Sequence, residues 1–240
     1  MNINKQKIEP SKAESWKLFD EIYKHYDLLN RLLSFGIDKH WRRSMAKFLR
    51  LDQKMNVLDL ATGTGDVLMV LAKEWPELKE GIGLDMAENM LNAGKAKIAK
   101  AGLQSKLILI KGDANDIIFS ENYFENVTIA FGIRNVVDAL VVLKEMRRVL
   151  IPRGRALVLE FSLPRHACLR SLHLFYLRQA VPFIGGLVSG NRQAYRYLNK
   201  TIEAFPYGDD FLTLMRQAGF KNPTAHPLLF GVATIYLGEK

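Results

Sequence analysis

The chain reads as a doubly wound α/β protein on a seven-stranded, mostly parallel sheet that ends in an antiparallel hairpin. Three observations predict this. Short apolar runs alternate with helical stretches through the middle of the chain. The first run leads directly into a glycine turn and then a helix, the unit that opens such sheets. The last two runs are separated only by residues 227–231, which suits an antiparallel return.

Residues 10–50 read as helical. Trp16, Phe19, Ile22 and Tyr23, then Tyr26 and Leu29, recur at helical spacing. Ser34-Phe35-Gly36 breaks the pattern, and a second helix starts near Asp38, carrying Trp41, Met45, Phe48 and Leu49. Strands are predicted over 56–61, 80–85, 106–111, 127–131 and 155–161. Helices over 66–75, 87–101 and 136–150 lie between them, stopped at Pro76, Gly102 and Pro152. Residues 164–202 read as mainly helical around an irregular middle, IGGLVSGN. A helix over 208–218 and strands over 220–226 and 232–237 finish the chain. The expected organisation is a helical cover over residues 1–50 and an α/β domain over 51–240, with a helical insertion at about 164–202.

Bulk properties narrow the function classes. The 240 residues are enough to bury a proper core. Cys168 is the single cysteine, so no internal disulfide forms and zinc sites built on paired cysteines are excluded. The five histidines show no convincing metal set, and no metal is expected. The polar start, MNINKQKIEPSKAES, does not read as a signal peptide. The apolar stretch 172–188 is interrupted by Arg178, Pro182, Gly185 and Gly186, so it is no membrane span. A cytoplasmic location follows, with a peripheral position on the inner face of a membrane allowed.

The formal net charge is +9, and its distribution is uneven. No Asp or Glu occurs from Phe161 to Ile202, where Arg165, Arg170, Arg178, Arg192, Arg196 and Lys200 stand among leucines and aromatics. That mixture suits an anionic lipid surface, and a solvated basic face with a buried apolar side accounts for it equally well. RNA could also be drawn to such charge.

The chemistry centres on Val57-Leu58-Asp59-Leu60-Ala61-Thr62-Gly63-Thr64-Gly65-Asp66. Gly63 and Gly65 let the backbone approach a ligand at the carboxyl end of the first strand. A dinucleotide fingerprint would place a third glycine or alanine where Leu68 stands. No Lys-Ser/Thr pair follows, so the loop is not a phosphate cradle. Asp59 and Asp66 flank it; two acids would repel a pyrophosphate but tolerate the ammonium and sulfonium of S-adenosylmethionine. Asp85, ending the second strand, can accept from a ribose diol, or can cap the next helix. Asp113, after the third, can accept from an adenine amino group, with the Ala114 amide donating to a ring nitrogen. Three acids at successive strand ends beside a glycine turn favour a nucleoside site.

The segment Asp59–Asp66 resembles the first motif of class I methyltransferases, which implies a Rossmann-like sheet and S-adenosylmethionine. Phe131-Gly132-Ile133-Arg134-Asn135-Val136 is narrower and resembles the ubiquinone/menaquinone biosynthesis C-methyltransferase family. Tyr26-Asp27 through Asn30, Ser34, Trp41, Glu145-Met146, Arg148-Val149-Leu150, Leu159-Glu160-Phe161-Ser162, Tyr195-Arg196-Tyr197-Leu198 and Phe205-Pro206 fit the same pattern, from residue 16 onward. The resemblance implies cofactor contacts from Thr64, Asp85, Asp113 and Ala114, in an expected set completed by Asp59, Gly63, Gly65, Met86 and Ala130. Ala130 stands where the family often has serine, and Asp38 where it usually has histidine; Ile151 and Arg153 replace the usual Lys and Gly around Pro152.

The family's acceptors are polyprenylated quinols: demethylmenaquinol in one branch, a methoxy-benzoquinol in the other. A phenol ionises near a pKa of about 10, so the site must favour the phenolate that makes the neighbouring ring carbon nucleophilic. Arg134 is expected to stabilise that phenolate, directly or through a water; its alternative role is an ion pair with Glu160. Asn135 and Tyr26 are candidates to orient the ring, and segment 164–190 to receive the tail and touch the membrane. Partners are therefore a quinol, an anionic membrane surface and, in an oligomer, a second copy as a homodimer. An RNA methyltransferase and a non-catalytic scaffold are the rival readings. The AFGIRN segment, unlike the Asn-Pro-Pro type of amino-group methyltransferases, argues against nucleic acid. The retained acids and glycines argue against a scaffold.

Overall fold

The computed structural model describes residues 12–50 and 55–240. Pro10, where the first helical stretch was expected to begin, and the expected domain boundary after Arg50 (residue 51 onward) lie outside the described residues. Strands β1 (Met55–Leu60), β2 (Leu78–Asp85), β3 (Leu107–Lys111), β4 (Phe124–Ala130), β5 (Leu150–Phe161), β6 (Lys221–Leu228) and β7 (Ala233–Glu239) form one sheet in the order β3-β2-β1-β4-β5-β7-β6. Pairings from β3 through β5 are parallel; β7 runs antiparallel to both β5 and β6. The doubly wound sheet and its closing hairpin are as the sequence predicts.

Alternation along β1 shows how the layers arise. Leu58 and Leu60 face the cluster shared with α5 (Ala139–Val149) and α9 (Asp209–Gln217). Val57 faces the other side, shared with α2 (Ile37–Met45), α3 (Asp66–Glu74) and α4 (Glu88–Lys100). A strand buried on both faces reads as a continuous apolar run, which is why β1 was legible. A third cluster lies beyond the sheet, where α1 (Ser15–Leu33) packs on α7 (Val181–Ser189) and α8 (Arg192–Ala204) through Ile22, Leu29, Val181, Tyr195 and Ile202.

Several boundaries differ from expectation, each for a local reason. β4 begins three residues early because Glu125 and Asn126, polar in sequence, bond neighbouring backbone: Glu125 accepts from Asn56 N (2.7 Å) and Asn126 from Arg50 N (2.8 Å). α5 starts at Ala139 and not 136, because Asp138 caps it by accepting from Leu140 N and Val141 N. β5 starts at Leu150, which pairs with Phe124.

The expected irregular middle of 164–202 is the larger correction. α6 (Ala167–Phe175) passes through one π-helical stretch, Tyr176–Ala180, straight into α7, which includes Ile184 to Ser189. The glycines there are spacers for a close helix crossing. A Cβ on Gly185 would lie 2.3 Å from the Tyr195 ring, and one on Gly186 3.0 Å from Arg192 Cβ. The chain turns only at Gly190-Asn191, where Asn191 caps α8. Among the described residues no helix is long and apolar enough to cross a membrane.

Candidate active site

The glycine turn after β1 begins with Ala61 in the left-handed region (φ 47°), and Gly65 (φ 78°) then starts α3. On the neighbouring strand end Phe131 is also left-handed (φ 56°). Two non-glycine residues in that region, at the carboxyl ends of adjacent strands, are backbone strain concentrated at one place. Both line a cavity of about 130 Å³ at the strand ends. Gly63, Asp85, Met86, Asp113, Ala114 and Ala130 line it too, so six of the nine expected cofactor residues come together.

The carboxylates in this wall are partly engaged. Asp85 accepts from Gly63 N (2.7 Å) and Ala87 N (2.8 Å). Burial raises its pKa against these bonds. Thus it braces the glycine turn as well as facing the cavity. Asp113 uses Oδ1 for Asn115 N (2.8 Å) and Nδ2 (2.7 Å); among the described residues its Oδ2 makes no hydrogen bond. Asn135 lines the same cavity, and among the described residues its buried Oδ1 has no partner. A cavity with two carboxylates, an orphaned carbonyl oxygen and apolar walls at Leu84 and Met90 fits a cationic adenosyl ligand.

The other three expected cofactor residues lie outside that wall. Asp59, 1% exposed, accepts from Thr62 Oγ1 (2.7 Å) and Thr128 Oγ1 (2.6 Å), and burial pushes its pKa up to about 7. Thr64 donates to Asp27 Oδ1 (2.8 Å), tying the turn to α1. Lys97 joins Asp27 (2.6 Å), Asp66 (2.6 Å) and Thr64 (2.9 Å). Burial alone would raise the Asp66 pKa, but Arg42, Lys97 and Arg31 overcome it and hold it low. Gly65 packs on Leu109 and Ile98.

A second cavity, of about 200 Å³, is mostly apolar. Its walls come from α1, α2, the strand ends and the helices after β5. Among the described residues it shares only Phe19, Tyr26 and Phe131 with the first cavity. Trp41, Phe131 and Phe161 form an aromatic floor, with ring centroids 4.6–6.1 Å apart. Two buried guanidiniums lie over these rings, Arg42 over Phe131 (5.6 Å) and Arg134 over Phe161 (5.3 Å). Arg42 pairs with buried Asp38, which also binds Arg31. Arg134 Nη1 bonds Glu160 (2.6 Å) and the Phe131 carbonyl (2.7 Å). The Glu160 ion pair weighed in the sequence is thus present, and Arg134 still lines the cavity, with Nε buried and unpartnered. Tyr26 feels both arginines, and burial raises its pKa.

The family model for the ubiE/COQ5 methyltransferase family matches residues 5–240. The chain belongs to the ubiE/COQ5 methyltransferase family. It is an S-adenosylmethionine-dependent methyltransferase, as the glycine turn between acids led one to expect. The ubiquinone/menaquinone biosynthesis C-methyltransferase UbiE of Geotalea daltonii is 44% identical over 224 residues, covering 93% of this chain and 95% of its own. A demethylmenaquinone methyltransferase of Bacteroides fragilis is 35% identical and covers both chains fully. Among solved structures, a possible histamine N-methyltransferase of Thermotoga maritima superposes with TM-score 0.66 at 18% identity, covering 94% of this chain and 99% of that one. At that identity it bears on the fold alone.

For this ubiE/COQ5 member, sequence reading missed two parts of the site. Arg42 carried a signal, standing four residues after Asp38 on one helix face. Lys97 carried none, because its partners Asp27 and Asp66 are distant in sequence. Asn135, expected beside the ring, lines the strand-end cavity and is absent from the wall of the apolar one. His166 and His173 stand at the exposed start and in the last turn of α6. Among the described residues no His, Cys, Asp and Glu group could hold a metal ion.

Proposed function

We propose that this methyltransferase places a methyl group on a ring carbon of a polyprenylated quinol, demethylmenaquinol or the methoxy-benzoquinol of ubiquinone synthesis. One observation carries the reading: the strand-end cavity and an apolar cavity with two buried arginines meet at Phe19, Tyr26 and Phe131. The names of the relatives support the same substrate class.

S-adenosylmethionine, when bound, supplies an electrophilic sulfonium methyl. In the strand-end cavity Asp85 serves the ribose, Asp113 and Ala114 the adenine, and Gly63, Met86 and Ala130 close contacts along the donor. Asn135 Oδ1 is suited to the ammonium. Asp59, Thr64 and Gly65 shape the turn from behind. In the apolar cavity Arg134 and Arg42 lower the phenol pKa by charge. The phenolate carbon would take the methyl from the donor's sulfur, and the ring proton at that carbon would pass to solvent water, restoring aromaticity. Tyr26, in both walls, orients the ring towards the methyl. Residues 12–50 of the cover and residues 164–202 of the insertion together build the acceptor side.

The tail leaves past Phe35 and Leu229, which line the cavity and are also exposed to solvent. Exposed Leu172 and Phe175 on α6, Phe183 and Leu187 on α7 and Phe230 in the β6–β7 turn suit a peripheral membrane position. The cationic contribution is smaller than composition suggested, because Arg178 is bonded to Glu203 (2.5 and 3.0 Å).

The test is anaerobic methyl transfer to a short-chain demethylmenaquinol, with RNA as the rival acceptor and product mass as readout. R134A alone would leave Glu160 buried and unpaired, at a stability cost of about 3–5 kcal/mol. R134A/E160Q removes that complication. It should lose at least about 100-fold in turnover, typical of lost charge stabilisation, while keeping donor affinity by calorimetry. Near-wild-type turnover by the double variant would remove the role of Arg134. Methylation of RNA and of no quinol would remove the function itself.

A further inference from the structure

Several polar side chains in the wall of the apolar cavity are already bonded within the protein. Asp38 holds Arg31, Arg42 and Ser34. Tyr176 Oη donates to the Leu33 carbonyl (2.8 Å). Arg134 Nη1 holds Glu160 and the Phe131 carbonyl. Among the described residues of this wall, two buried side-chain atoms have no partner: Arg134 Nε and His173 Nε2. Buried polar atoms are rarely left unbonded, so such atoms in a cavity wall mark where a ligand completes the bonding. They come from separate parts of the fold: Arg134 follows β4, and His173 sits in the last turn of α6. Arg134 Nε is a donor only. Burial lowers the His173 pKa, so its imidazole is neutral near pH 7, and a neutral imidazole keeps one nitrogen as an acceptor.

A quinol matches this pair. It carries one oxygen beside the reacting carbon, where charge develops, and a second hydroxyl para to it. We propose that His173 Nε2 accepts a hydrogen bond from that second hydroxyl, making His173 a residue that positions the ring and selects acceptors with two hydroxyls. This rests on the quinol reading above. It assigns to α6 a role that neither the glycine turn nor the Arg134 segment supplies. A ring held at both oxygens can present only one edge to the methyl, so the contact also fixes which carbon reacts.

The experiment compares two acceptors with the same short prenyl tail: the 1,4-naphthalenediol, and its analogue keeping only the hydroxyl beside the reacting carbon. H173F removes the acceptor nitrogen at similar volume, and H173Q keeps an acceptor. For the diol, H173F should raise KM about tenfold with kcat and donor affinity little changed, the size of effect expected for one lost hydrogen bond. The single-hydroxyl analogue should show the same KM with wild type and H173F, and H173Q should recover most of the diol preference. Equal loss on both acceptors, no loss on either, or no recovery with H173Q overturns the proposal. If wild type methylates neither acceptor, the quinol reading fails and the role of His173 fails with it. If wild type methylates the diol without an acceptor-selective effect of H173F, only the role of His173 fails.

Discussion

Asp59 stands on the face of β1 where Val57 is apolar, enclosed by Thr62 and Thr128. Sequence reading could see an acid before a glycine turn; it could not see that the acid is desolvated. With its pKa pushed up to about 7, against an ordinary aspartate's of about 3.9, the folded state holds a proton there that the unfolded chain has released. By linkage this group's contribution falls as pH rises from about 4 to about 7, then levels off. Urea unfolding of the ligand-free protein from pH 5 to 8 should therefore show a loss of up to about 1.4 kcal/mol per pH unit below pH 7 from Asp59. D59N should flatten that part of the curve. Equal pH slopes in the two proteins would show that Asp59 ionises in the fold as it does in the open chain. The same limit on legibility applies to Arg134. FGIRN singled it out, but whether its charge meets Glu160 or a ligand depends on burial, which no local pattern encodes.

At the scale of elements, runs buried on both faces were legible and the ends of those runs were not. Glu125 and Asn126 looked like loop because they are polar, yet they extend β4 by bonding across to β1 and Arg50. Ile184 to Ser189 looked irregular because two glycines would weaken an isolated helix, and tertiary contact with α8 reverses that. Gly94, in the middle of α4, illustrates the same trade. Alanine there would gain about 1 kcal/mol of helix propensity. Its Cβ would also lie 2.9 Å from the Thr64 carbonyl carbon and oxygen and 2.5 Å from Leu109. Backbone cannot give way as a side-chain tip can, so the helix must lift off the turn. G94A should destabilise the protein by about 1–3 kcal/mol and weaken S-adenosylmethionine binding in titration calorimetry. An unchanged or raised melting temperature with unchanged affinity would mean that α4 and the turn are not tightly coupled.

For the molecule as a whole, the exposed apolar side chains include some from three separate stretches of chain. Phe35, 79% exposed, lies between α1 and α2; Leu172 and Phe175 lie on α6; Phe230, 78% exposed, lies in the β6–β7 turn. Phe35 and Phe230 hold left-handed backbone, φ 53° and 55°, which aromatic residues seldom adopt without cause. Composition alone pointed only to segment 164–190, because neighbours contributed by other segments appear only once the chain is folded. Flotation with anionic vesicles should retain the wild type and release F35S/F175S/F230S, with turnover of a short-chain acceptor kept. Equal flotation of both would discard this face as the lipid contact.

The narrowness of the wall common to the two cavities has a consequence for how such a protein changes over generations. The strand-end cavity is walled chiefly by strand ends and the turns after them, whose positions the sheet dictates. The apolar cavity is walled mainly by helices that the sheet does not need, with Phe131, Arg134 and Phe161 added from the strand ends. With Phe19, Tyr26 and Phe131 the only described residues in both walls, mutations in α6–α8 would reshape the apolar cavity without touching the strand-end one. Innovation in this architecture is therefore confined to one side of a three-residue frontier.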